Sequence, residues 1–139
     1  MKSLAALLVA ALTATMLSLG FVSPAEARCD QYGPCIDTDL NANLKKNPIR
    51  AGQKAAIVVR FRAETGRAPK ATIRIRVVRK SNGKTVWSGK RQYNDRTEVY
   101  STGALPKGRF RILLNAHTKS DRFEDDSTKI TTLRVKKRR

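Results

Sequence analysis

The chain of 139 residues holds one histidine, His117, and the side chains best able to do chemistry lie just beyond it: Ser120, Asp121, Glu124, Asp125 and Asp126. A single imidazole excludes a two-histidine acid–base pair of the ribonuclease type within one chain. Ser120 and Asp121 supply the residue types of a nucleophilic triad. Triad geometry is rarely built from neighbours in sequence, however, and no nucleophile-elbow motif is present. Glu124-Asp125-Asp126 supplies adjacent carboxylates, whereas glycoside hydrolysis needs two carboxyls facing each other across a cleft. A small secreted hydrolase is therefore the weakest reading. No catalytic residue is assigned: His117 is read as a solvated strand-end group and the acidic triplet as a wet or ion-paired loop tip.

Metal chemistry fares no better. Oxygen donors alternate through Asp37-Thr38-Asp39-Leu40-Asn41-Ala42-Asn43, as in a calcium loop. The sixth position, which needs Gly, is Ala42, and the twelfth, which needs a bidentate Glu, is Pro48. The stretch is read as a polar linker, and neither metal nor cofactor is expected. The two cysteines, Cys29 and Cys35, stand in RCDQYGPC. Two lone thiols are too few for a structural metal, and their spacing is not that of a C-x-x-C redox pair. In an exported chain they predict a Cys29–Cys35 disulfide, with Gly33-Pro34 turning the chain between them. So short a loop contributes about 2 kcal/mol in the loop-closure account. The bridge would tie down an N-terminal arm and leave the core unstapled.

Export itself is an expectation from residues 1–27. Met1-Lys2 forms a short positive region, Leu4 to Val22 is apolar apart from a few Ser and Thr, and Pro24 precedes Ala25-Glu26-Ala27. That pattern predicts a signal peptide cleaved after Ala27, the alternative being an uncleaved anchor. Arg28 before Cys29 is not the small residue of a lipidation site. The expected location is extracellular or at the cell envelope. The organisation that follows is a signal peptide (1–27), a disulfide-closed arm and linker (28–43), and one domain with a basic tail (44–139). The whole chain has 29 Lys and Arg against 11 Asp and Glu, a formal charge of +18. Removing Lys2 with Glu26 leaves that value unchanged. Such an imbalance opposes compaction by self-repulsion and attracts polyanions and anionic surfaces.

Leu105 to His117, LPKGRFRILLNAH, shows how the charged residues are positioned. Phe110, Ile112, Leu114 and Ala116 share one parity, while Arg109, Arg111, Leu113 and Asn115 share the other. That is the pattern of a strand with one buried and one wet, basic face. The same scheme runs through Ala55–Ala63 and Ala71–Val78, rich in β-branched residues. Further short strands are predicted at Asn47–Arg50, through Val86-Trp87, at Thr97–Ser101 and at Lys129–Lys136. In the last, Leu133 and Val135 face inward, and Ile130 falls on the wrong parity, so that a bulge, an exposed Ile or a shorter strand is required. Ser81-Asn82-Gly83-Lys84 reads as a two-residue type I′ hairpin turn. No sustained helical period occurs beyond the leader. About seven short antiparallel strands call for an all-β, two-sheet sandwich.

Pro48-x-x-Ala51-Gly52-Gln53 before one strand, and Leu105-Pro106-x-Gly108-x-Phe110 opening another, resemble bacterial immunoglobulin-like and fibronectin-type-III-like sandwich domains over Leu44–Lys136. Phe110 stands where many of those domains carry Tyr, which removes a corner hydrogen bond, and the inter-sheet disulfide of antibody domains is absent. The resemblance implies binding or spacing roles and names no specific one. It also implies that the strands 71–80, 108–117 and 129–136 lie side by side. Arg74, Arg76, Arg109, Arg111, Arg134 and Lys136 would then share one outward face. With like charges across neighbouring strands destabilising their pairing, six cations together suggest an anionic counterpart: wall polymer, acidic polysaccharide, anionic lipid surface or nucleic acid. Two blander readings compete: a merely solubilising surface, and a structural or accessory module that engages another protein. Sequence-specific nucleic-acid recognition is not expected, since aromatics are few and Phe61 and Phe110 point inward. No membrane insertion is expected after leader cleavage, because the mature chain offers no amphipathic helix.

Overall fold

The computed structural model describes residues 34–94 and 96–138. The expected signal peptide, Cys29 and Asp95 lie outside the described residues. Eight strands follow in order: β1 (Thr38–Leu44), β2 (Ile49–Arg50), β3 (Lys54–Ala63), β4 (Ala71–Arg79), β5 (Thr85–Tyr93), β6 (Glu98–Ala104), β7 (Gly108–Thr118) and β8 (Asp126–Lys136). They form a three-stranded sheet, β1-β3-β6, and a five-stranded sheet, β2-β8-β7-β4-β5. Pairing is antiparallel except where the two-residue β2 runs parallel to the end of β8. This is the all-β, two-sheet sandwich read from the alternation.

The alternation decides what fills the space between the sheets. Ala55, Ile57, Val59 and Phe61 of β3 are buried, as are Ala71, Ile73, Ile75 and Val77 of β4 and Phe110, Ile112, Leu114 and Ala116 of β7. Each of these strands buries one side, where a large aliphatic group is worth roughly 1.5–3 kcal/mol. Tyr93 closes one end of the core. Its ring meets Phe61 edge-on at 6.0 Å, and its hydroxyl accepts from the Phe61 amide and donates to the Phe61 carbonyl. At the other end Gly108 lies where a Cβ would come within 3.0 Å of Arg79 and 3.2 Å of Phe110. That crowding explains the glycine of the LPKG corner, for the Arg79 guanidinium sits 5.2 Å above the Phe110 ring.

Four readings are corrected. Residues 38–44 are not a linker: they form β1, which pairs with β3 along its whole length and buries Leu40. The sandwich therefore begins before Leu44. The Asn-Gly hairpin is not a two-residue turn, because Arg79 pairs with Lys84 across a four-residue loop. Within that loop Gly83 takes φ +69° and Asn82 accepts from the Lys84 amide, so the pair keeps its turning role in a longer loop. Val78, assigned to the wet parity, is buried at a register shift between β4 and β5. Finally, β8 starts at Asp126 instead of Lys129.

The parity problem at Ile130 is resolved by a bulge. Phe110 pairs with Leu133 but Ile112 pairs with Ile130, so β8 carries one extra residue. Asn47 stitches the bulged segment: its amide donates to Thr132 O at 2.9 Å and its carbonyl oxygen accepts from Arg134 N at 3.0 Å.

Candidate functional site: a basic sheet face

Strand order β8-β7-β4 places Arg74, Arg76, Arg109, Arg111, Arg134 and Lys136 on the outer face of the five-stranded sheet, and all six are exposed. Arg109 and Arg134 stand directly opposite one another. The register adds cations that parity counting missed. Lys90 of β5 lies opposite Arg74, and Arg50 of β2 lies opposite Lys136. Lys129 lies opposite Leu113, turned outward by the bulge. Lys80 reaches across to Thr132 Oγ1 at 3.2 Å. A signal for Lys129 was present: Ile130 on the wrong parity left a bulge among three readings, and a bulge reverses the facing of Lys129.

Among the described residues none of these cations forms an ion pair with a carboxylate, and His117 and Asp125 pair at 2.5 Å at the rim of the face. The surface has relief. A depression of about 450 Å³ lies among Arg74, Arg76, Lys90 and Asn115, and another of about 520 Å³ runs from Arg74 past Asn115 to His117 and Asp125. Arg74 borders both hollows, with Arg76 and Lys90 beside the first and the carboxylates of Asp125 and Asp126 at the second; guanidinium forks pair bidentately with phosphate, sulfate or carboxylate.

Asp125 and Asp126 use their carboxylates, and Glu124 its backbone, to hold the loop. Asp125 accepts from the Thr118 amide at 2.8 Å and from His117. Asp126 accepts from the Leu40 amide and from its own neighbour Ser127. The Glu124 carbonyl accepts from the Thr38 hydroxyl. A parallel bridge between Ile36 and Phe123 completes the link, so the segment carrying Cys35 is strapped to the β7–β8 loop. His117, Ser120 and the carboxylates thus do gather at one corner, yet the shared contacts serve backbone amides and Thr118. No cysteine among the described residues is a free thiol. The alternating oxygens of Asp37–Asn43 lie along an extended strand, not a loop. Among the described residues no group of three or more His, Cys, Asp or Glu is placed to hold a metal ion.

Burial raises the Tyr100 phenol well above its ordinary pKa, with adjacent Glu98 adding to the effect. Its hydroxyl donates to Gln92 O at 2.9 Å and joins β6 to β5.

No protein-family model matches the chain. No curated protein matches it either. Among solved structures it is similar to the CARDB domain of the PF1109 protein from Pyrococcus furiosus, solved in complex with di-metal ions. The identity is 14%, the match covers 70% of this chain and 88% of that one, and the TM-score is 0.41.

Proposed function

We propose that the protein is a secreted, non-catalytic binding module of the immunoglobulin-like or fibronectin-type-III-like class. Its basic sheet face engages an anionic polymer of the cell wall or an acidic polysaccharide. The observation that carries this reading is the row of unpaired cations on β4, β7 and β8, with Arg109 set against Arg134. Placing like charges across a ladder costs stability, and an anionic partner removes that cost when bound. The secretory leader and the Cys29–Cys35 bridge belong to the same proposal: an exported module with an anchored arm works where such polymers are found.

Heparin and a phosphate-rich wall polymer serve as probes. Retention of the leader-free protein on either should fall steeply with added salt, as it does when bound polymer releases counterions. Replacing Arg74, Arg76, Arg109, Arg111, Arg134 and Lys136 with Gln should move elution to much lower salt while the circular dichroism is kept. If that variant elutes with the parent protein, the face is not the binding surface. Retention that resists salt would indicate an apolar protein-like interface instead.

A further inference from the structure

A second cationic feature lies away from the sheet face, at the end of the sandwich where the chain crosses between layers. Arg62 near the end of β3, Arg67 in the β3–β4 loop and Arg96 in the β5–β6 turn surround a hollow of about 380 Å³, with Thr97 beside them and Tyr93 as its wall. Three separate segments supply these arginines, and the backbone of the two turns among them is tied down. The Ala63 amide donates to Arg67 O, and the Gly66 amide donates to Ala63 O. Gly66 at φ +76° turns the loop back over the strand end. The amide of Asn94, two residues before Arg96, donates to Glu98. Tyr93 commits its hydroxyl to Phe61, so the wall is fixed and offers the hollow no competing donor.

Among the described residues no carboxylate lines the hollow. Asp39 stands opposite Arg62 in the register between β1 and β3, yet these two form no ion pair among the described residues. Three exposed arginines from three segments around one hollow differ from the flat array on the sheet. They suit a compact oxyanion approached from several sides, where forked N–H donors reach separate oxygens. We propose that this hollow is a second, independent binding site for a tetrahedral oxyanion, phosphate or sulfate, either free or as the terminal monoester of a larger molecule. It goes beyond the polymer-binding face and does not depend on it.

The test is titration of the full leader-free protein with inorganic phosphate at ionic strength held constant with chloride, read by calorimetry and by amide chemical shifts. Acetate and glycerol phosphate serve as parallel arms. The expected result is saturable binding of phosphate with shifts at Arg67 and Thr97, and no saturation with acetate. Glycerol phosphate binding as tightly as the free ion identifies a terminal monoester as an acceptable source, while weaker binding assigns the site to the free ion. Arg62→Gln, Arg67→Gln and Arg96→Gln combined should weaken phosphate at least about tenfold, in line with the loss of charge-assisted hydrogen bonds. Arg74→Gln with Arg76→Gln should leave it unchanged. Shifts that grow linearly without saturation overturn the proposal. So does a triple variant, folded by circular dichroism, that retains the parent affinity, or equal losses in the two sets of variants.

Discussion

Asp125 shows how a side chain suited to catalysis can be taken up by the fold. Its carboxylate accepts from the Thr118 amide, lies within 3.3 Å of the Thr118 hydroxyl and pairs with His117. Asp125→Ala would leave a part-buried amide without its acceptor, costing about 1–3 kcal/mol. Urea denaturation should show that loss, with Asp125→Asn recovering most of it. Tyr100 argues similarly through protons. The folded state holds its phenol protonated, chiefly by burial, whereas the unfolded chain releases the proton near the ordinary value of about 10. Because the folded pKa is the higher, this contribution is complete below pH ~10 and is lost as the pH rises beyond it. Urea midpoints should therefore fall further between pH 8 and pH 11 in the parent than in Tyr100→Phe. Tyr100→Phe should start lower at neutral pH, having lost the bond to Gln92. Parallel losses in both proteins would remove Tyr100 from the account. From the sequence, His117 and the acidic triplet were legible as near neighbours, but their distant partners were not: Asp126 accepts from the Leu40 amide and Glu124 O from the Thr38 hydroxyl, contacts that only the closed fold makes.

Strands and their edges are where reading by parity succeeded and where it missed. The buried sets of β3, β4 and β7 follow directly from two-residue alternation, since each strand has one greasy side. β1 escaped because Leu40 is the one residue it buries fully, and the polar residues around it mimic a linker. The β8 bulge was one of three readings that Ile130 left open, and parity alone neither chose nor placed it. Edge packing has its own signature. Trp87 of β5 lies against Gly89 and Gly103, where an added Cβ would stand 2.7 Å and 2.5 Å from the indole. Gly103→Ala should displace the ring and cost about 1–3 kcal/mol, as overpacking does. Trp87 is the only tryptophan, so its fluorescence should shift to the red in that variant. An unchanged spectrum and unchanged stability would mean that the indole does not need the space. The Arg109–Arg134 pair makes the opposite experiment possible. Arg134→Glu converts a like-charge ladder pair into an attractive one and should raise stability by roughly 0.5 kcal/mol, while lowering heparin retention. A variant that gained stability and kept its full retention would separate the pair from the proposed surface.

At the scale of the molecule, charge and architecture do separate jobs. The core forms from uncharged faces, and no Lys or Arg among the described residues is buried in it. The sequence makes this division legible because alternating arginines advertise their own exposure. It could not make legible which cations become neighbours: Arg50 joins the face through a parallel ladder and Lys90 through the long β5. The end hollow of Arg62, Arg67 and Arg96 was equally hidden, since its members come from a strand and two turns whose meeting is set by the crossing between layers. Two cationic regions of different shape follow, one a broad plane and one a socket.

The short parallel ladder between β2 and β8 has a mechanical consequence. Ile49-Arg50 and Val135-Lys136 run the same way, and Ala51 N extends the ladder to Lys136 O at 2.8 Å. Tension applied between Asn47 and Lys137, on either side of this ladder, would pull these neighbours in opposite directions along their length. The ladder would then resist as a unit in shear, instead of parting rung by rung as a peeled hairpin does.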